Sequence, residues 1–179
     1  MNRTLYILIA GAALVTLSSA PATLAAHHEE DTVHNGAYVR NLEFVGGRAV
    51  DLANEIPEDD YGWRPMEGVR SVSESIMHMA SANYFFASRL GTPVPEGIDM
   101  QSMEEITAKA EVVAALDASL KHLAMALGKV EDTTAAMDIF GREATAEDMM
   151  QIALGHVHEH FGQLIAYARS NEVVPPWSQ

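Results

Sequence analysis

The chain has 179 residues, a length that implies one domain with room for a sizeable hydrophobic core. Lysine and arginine number 11 against 25 aspartates and glutamates, a net charge of −14. That charge repels phosphate backbones and anionic headgroups, so nucleic acid is disfavoured as a partner. With no cysteine in the chain, the fold must hold by packing alone, and any metal site must be built from His, Asp and Glu.

Residues 1–26 have the layout of a secretory signal peptide: Arg3 near the start, an apolar run from Leu5 to Leu17, then small residues from Ser18 to Ala26. Cleavage after Ala25 or Ala26 is expected, with a weaker site at Ala20-Pro21-Ala22. The competing reading is an uncleaved anchor, but the run falls short of the ~20 apolar residues that a span needs. The mature protein is then periplasmic or secreted, with no stable membrane association. It divides into one domain over residues 27–172 and a tail over 173–179. If cleavage follows Ala25, His28 becomes the third residue, a spacing that chelates copper or nickel. A disordered acidic leader from His27 to His34 is the alternative.

Four stretches carry helical periodicity and none shows convincing strand alternation, so the fold class is all-α, a single four-helix bundle. The first helix is expected over about Thr32 to Ile56, with Tyr38, Leu42, Val45, Ala49, Leu52 and Ile56 on one face. Gly46-Gly47 inside it weakens the helix or admits a close neighbour, and Pro57 ends it. The second spans about Ser71 to Leu90, opened by a Ser71/Glu74 capping box and stopped by Gly91 and Pro93. Its stripe is Val72, Ile76, Met79, Ala82 and Phe86.

The third helix is expected over Ser102 to Leu127, capped by Ser102 and Glu105 and closed by Gly128. Ile106, Ala110, Val113, Leu116, Leu120, Leu123 and Leu127 would face inward, leaving His122 exposed. The fourth covers Thr145 to Ser170, with a Thr145/Asp148 cap, Asn171 beyond its end, and Pro175-Pro176 barring continuation. The connections after the first and second helices are longer than tight turns need, so one or both cross the bundle end. Trp63 and Trp177 are expected to pack over bundle ends, and the methionines between Met137 and Met150 to fill core.

The histidines carry the functional signal. Residues four apart on a helix differ by only about 40°, so His156 and His160 stand one turn apart within the apolar stripe of the last helix, while His158 faces solvent. Buried imidazoles need partners for their nitrogens, and a shared metal ion supplies one. The competing reading, core histidines bonded to carbonyls or side chains, stands about level on this geometry. His78, on the shoulder of the second helix's stripe, would complete three ligands from two helices and leave a coordination position open to water.

Two segments together resemble the DinB-like (damage-inducible, YfiT-like) superfamily of metal-binding four-helix bundles. One is Ile56-Pro57-Glu58 with Trp63-Arg64-Pro65 and Gly68-Val69-Arg70-Ser71-Val72, leading into the helix of His78. The other runs from His156 through His160 to Gln163-Leu164, then Tyr167-Ala168-Arg169. The resemblance implies His78, His156 and His160 as metal ligands, and thiol S-transfer or metal-dependent hydrolysis of a small molecule as the activity. It extends to a homodimer, since relatives pair. The export signal departs from the cytoplasmic habit of such relatives and favours a hydrolase.

One divalent transition metal is the expected cofactor, with zinc, nickel, iron and manganese all compatible with three imidazoles. Glu159 is a candidate general base, although a solvated carboxylate explains it as well. Gln163 and Tyr167 are candidate substrate contacts, with core-edge packing as the alternative. The His156–His160 segment also fits the HxxEH pattern of inverted zinc peptidases, a cheap match in a chain this small. A non-catalytic metal-binding protein and a helical interaction module without metal are the alternative functions.

Overall fold

The computed structural model describes the backbone of residues 23–179 and side chains from Asn35 onward; the expected signal peptide and the histidine side chains of the leader lie outside the described residues. Four helices carry the fold: α1 (Thr23–Glu55), α2 (Val72–Arg89), α3 (Lys109–Gly128) and α4 (Ala146–Ser170). No described helix is long and apolar enough to cross a membrane. Leu42, Leu52, Ile56, Ile76, Met77, Leu116, Leu123, Leu127, Met149 and Leu164 form the fully buried centre.

The start signals of α2 and α4 act as their sequences dictate. Ser71 and Thr145 each accept from the backbone N–H three residues on, while Glu74 and Asp148 accept from the cap backbone in return. Two of the four orphan donors at each helix start are thereby satisfied. Gly46 admits the close neighbour: a Cβ there would sit 3.1 Å from a Leu120 methyl, so its absence lets α3 press against α1.

Contacts between ends give the helix directions. Tyr61, just past α1, donates its hydroxyl to Ala53 O at 2.7 Å and its carbonyl accepts from Ser73 N, so α2 starts at the end of α1 and runs back diagonally across the bundle from it. Lys109 reaches the carbonyls of Asn54 and Ile56, both at 2.7 Å, which sets α3 antiparallel to α1. Tyr38 meets Glu147 near the start of α4, and Asn41 meets His158 further along it, so α4 runs parallel to α1. The order is up-down-down-up. The link between α2 and α3 is therefore the crossing connection, and it travels back along α2: Ser81 donates to Met100 O, and Glu104 comes level with His78.

Three expectations need correction. First, α3 starts at Lys109; Ser102 makes no side-chain cap, and Met103–Glu105 is a separate turn of 3-10 helix. With that phase Val112 is buried, Ala110 is exposed and Val113 only half-buried. Second, His122 is buried, its ring 5.3 Å from that of Tyr84, because α3 packs against α2 as well as α1 and its inward face is wider than one stripe. Third, a β-hairpin precedes α4: β1 (Ala136–Ile139) pairs antiparallel with β2 (Arg142–Thr145). Each strand has four residues, the least in which alternation registers, and neither Ala-Met-Asp-Ile nor Arg-Glu-Ala-Thr alternates apolar with polar. Phe140 (φ 53°) and Gly141 (φ 80°) form its two-residue turn, the type I′ pattern.

Trp63 stands edge-on to Tyr167 with ring centroids 5.3 Å apart, over the start of α2 and the end of α4. Trp177 lies 5.4 Å from Phe161 with the Arg48 guanidinium over its ring, so it covers the α1–α4 seam.

Candidate metal centre

Antiparallel packing of α2 on α4 brings His78 level with His156 and His160. Their Nε2 atoms converge: His156 to His78 is 3.3 Å, His156 to His160 is 3.1 Å, and the ligating atoms of all three lie within 4.8 Å of one another. A tetrahedral ion with metal–nitrogen bonds of about 2.0–2.1 Å holds its ligands about 3.3 Å apart. Both separations from His156 match that spacing, and the third, between His78 and His160, stays within 4.8 Å.

The far sides of two rings decide the state of the near sides. His78 Nδ1 sits 3.2 Å from Glu104 Oε1, an acceptor, so it carries the hydrogen and leaves Nε2 bare. His160 Nδ1 lies 2.8 Å from Gln163 Oε1; Gln163 Nε2 donates to the Tyr167 hydroxyl at 2.9 Å, and Tyr167 donates to the Arg70 carbonyl at 3.1 Å. That carbonyl can only accept, so the whole relay runs one way and His160 also presents a bare Nε2. Two lone pairs thus point toward His156, whose Nδ1 is buried without a partner. Either a proton on His156 Nε2 or a cation among the three nitrogens resolves the repulsion, and the cation serves all three.

Burial, and then the neighbouring His160, His78 and Arg70, push His156 down to about 4. Burial, Arg70 and His160 likewise lower His78, with Glu104 opposing them. At neutral pH both are the uncharged imidazoles that bind metals. The rings are only half-buried, His78 retaining 28% of its side-chain exposure, so solvent reaches the centre.

Gln163 and Tyr167, expected at a substrate, have their polar atoms engaged in the relay behind His160. Glu159 is exposed, and so is His158, whose Nε2 lies 3.2 Å from Asn41 Oδ1. Sequence reasoning missed Glu104, which also receives the Arg70 Nε at 3.0 and 3.1 Å. It sits 26 residues from His78, and only the crossing connection brings it near. It missed Phe86 too, whose ring stands 5.5 Å from that of His156. Carboxylate and carbonyl partners of this kind orient ligating imidazoles and raise their basicity.

Residues 41–164 match the DinB superfamily. The chain belongs to that superfamily. The Bacillus subtilis (strain 168) protein YjoA is 29% identical over 128 residues, which cover 66% of this chain and 79% of YjoA. A crystal structure of the B. subtilis YjoA protein, described as DinB-like, superposes with a TM-score of 0.64 at 22% identity, covering 80% of this chain and 97% of the other. Another DinB-like protein, from Bacillus cereus ATCC 10987, gives a TM-score of 0.67 at 14% identity over 78% and 93% of the two chains. At these identities the structures speak for the fold. The centre described above rests on this chain's own residues.

Proposed function

We propose that this DinB-superfamily chain is an exported, metal-dependent hydrolase acting on a small molecule, with one divalent ion held by His78, His156 and His160. The observation that carries the reading is the convergence of three Nε2 atoms, two with bare lone pairs enforced from behind, in a half-exposed setting. A divalent ion bound there supplies Lewis acidity to an oxygen or sulfur of the substrate. Glu104 and Gln163 hold the rings of His78 and His160 in register, and Phe86 backs His156 with an apolar wall. The charge of −14 argues for a small ligand over nucleic acid.

The test is elemental analysis of protein purified without tag or chelator, beside a His156→Ala, His160→Ala variant. About one equivalent of zinc, nickel, iron or manganese in the wild type alone is expected, followed by turnover in a panel of carboxylic esters, phosphoric esters and amides. Turnover of thiol adducts instead would assign the transferase chemistry of the resemblance. A metal-loaded protein that unfolds when stripped and turns over neither class would identify a structural ion. Absence of metal, with no uptake of added zinc, nickel or manganese, would remove the centre altogether.

A further inference from the structure

The turn of the hairpin holds a residue that its backbone disfavours. Phe140 has φ 53°, in the left-handed region that bulky side chains avoid and that Asn or Gly enters at little cost. The residue is 73% exposed, so burial on folding does little to offset that conformation. The turn is nevertheless braced: Gly141 N donates to Asp138 Oδ1 at 3.1 Å, and Arg89 at the end of α2 donates to the Asp138 carbonyl.

The brace lays the Phe140 ring nearly parallel to Phe85, with centroids 6.2 Å apart and planes 12° apart. Phe85 meets Phe86 at 5.4 Å, and Phe86 meets His156 at 5.5 Å. Phe85 also follows His78 by seven residues, two turns along the same side of α2, or about 10.5 Å. Half-buried Ala82 lies between them on α2, and half-buried Ile152 lies one turn before His156 on α4, toward the hairpin. A track of apolar side chains therefore leads from the three imidazoles to the hairpin tip.

We propose that Phe140 and Phe85 form a platform for the apolar tail of an amphipathic substrate whose polar head is held at the three-histidine centre. This rests on the proposed function and adds the substrate class: an acyl or aryl compound with a metal-coordinating head and a tail about two helical turns long. One exposed ring on one partner is far below the ~1,000 Å² of a stable protein interface. Exposed Asp138 and Glu143 beside it balance Arg89 and Arg142, so no excess of positive charge draws this face to an anionic membrane surface. A small ligand is the occupant that fits.

The test uses the full chain loaded with one equivalent of Zn²⁺ and titrated calorimetrically with acetohydroxamate and octanohydroxamate, which share a metal-binding head and differ by six methylenes. Half-burial of each methylene gives about twofold in Kd, so the longer probe binds roughly 60-fold tighter. Phe140→Asn relieves the turn and removes the ring. The variant is expected to melt at a higher temperature, to keep its zinc and its acetohydroxamate affinity, and to lose most of the gain from the tail. Phe140→Gly provides the same comparison without a side chain.

A tail that brings no gain, a gain undiminished in both variants, or a fall in melting temperature in Phe140→Asn overturns the platform while leaving the centre intact. Failure of the wild type to hold zinc and bind acetohydroxamate sinks the proposed function and the platform together.

Discussion

Replacing Glu104 with Gln tests whether the crossing connection tunes the centre. The Glu104 carboxylate, whose Oε1 lies 3.2 Å from His78 Nδ1, also neutralises the Arg70 guanidinium, whose Nε is 3.1 Å from Oε1 and 3.0 Å from Oε2. Gln keeps an acceptor for His78 but loses the charge, leaving Arg70 uncompensated beside a dication. Loss of such a partner typically costs ten- to a hundredfold in metal affinity. Glu104 retains 38% of its side-chain exposure, so solvent screening places the expected loss at the lower end, about tenfold or ~1.4 kcal/mol.

Adding Arg70→Met removes the repulsion that the first substitution uncovers. The double variant should recover a large part of the loss, a non-additivity that a double-mutant cycle measures. Competition for zinc against a chromophoric chelator at neutral pH reads all four proteins. An unchanged Kd in Glu104→Gln, or a double variant as weak as the product of the single losses, would refute the reasoning.

Tyr61→Phe removes the buried hydroxyl that donates to Ala53 O at 2.7 Å, and should lower unfolding free energy by about 1–2 kcal/mol in urea titration with an unchanged m-value. Gly46→Val drives a branched side chain into Leu120, whose methyls stand 3.1–3.2 Å from the Cβ position; about 1–3 kcal/mol of destabilisation is expected in the same assay. In chelator-treated protein, His156 is depressed to about 4 against an ordinary value near 6.5. A folded-state value below the unfolded one means stability present above about pH 6.5 and lost as pH falls through about 4. Melting temperature should drop across that window, and His156→Gln should flatten the drop.

The crossing connection explains why the centre is built from distant pieces. An up-down-down-up bundle needs a long return between its two parallel neighbours. Here that return, from Gly91 to Ala108, passes His78 on its way to α3. The same path that satisfies topology delivers Glu104 to the metal-facing helix, where it meets Arg70 from the link before α2. Metal binding and docking of this connection are thereby linked through one imidazole.

Much of this was legible in the residues themselves. The capping boxes at Ser71 and Thr145, the stripe from Leu42 to Ile56, and the HxxxH pair on one side of α4 are local. Caps act over three residues and helical periodicity over four, so no tertiary information is needed to read them. The start of α3 was not legible, because Ser102 and Glu105 make a sound capping pattern that the crossing connection overrides with a 3-10 turn. Neither was the burial of His122, which depends on α3 touching two helices at once, nor the hairpin, whose four-residue strands do not alternate apolar with polar residues. At the centre, the sequence by itself determined which imidazoles lie on inward faces, because helix geometry sets that. Only the tertiary structure decided which of their nitrogens are bare, because the partners that hold the opposite hydrogens, Glu104 and the Gln163–Tyr167–Arg70 relay, meet them through packing between helices and loops.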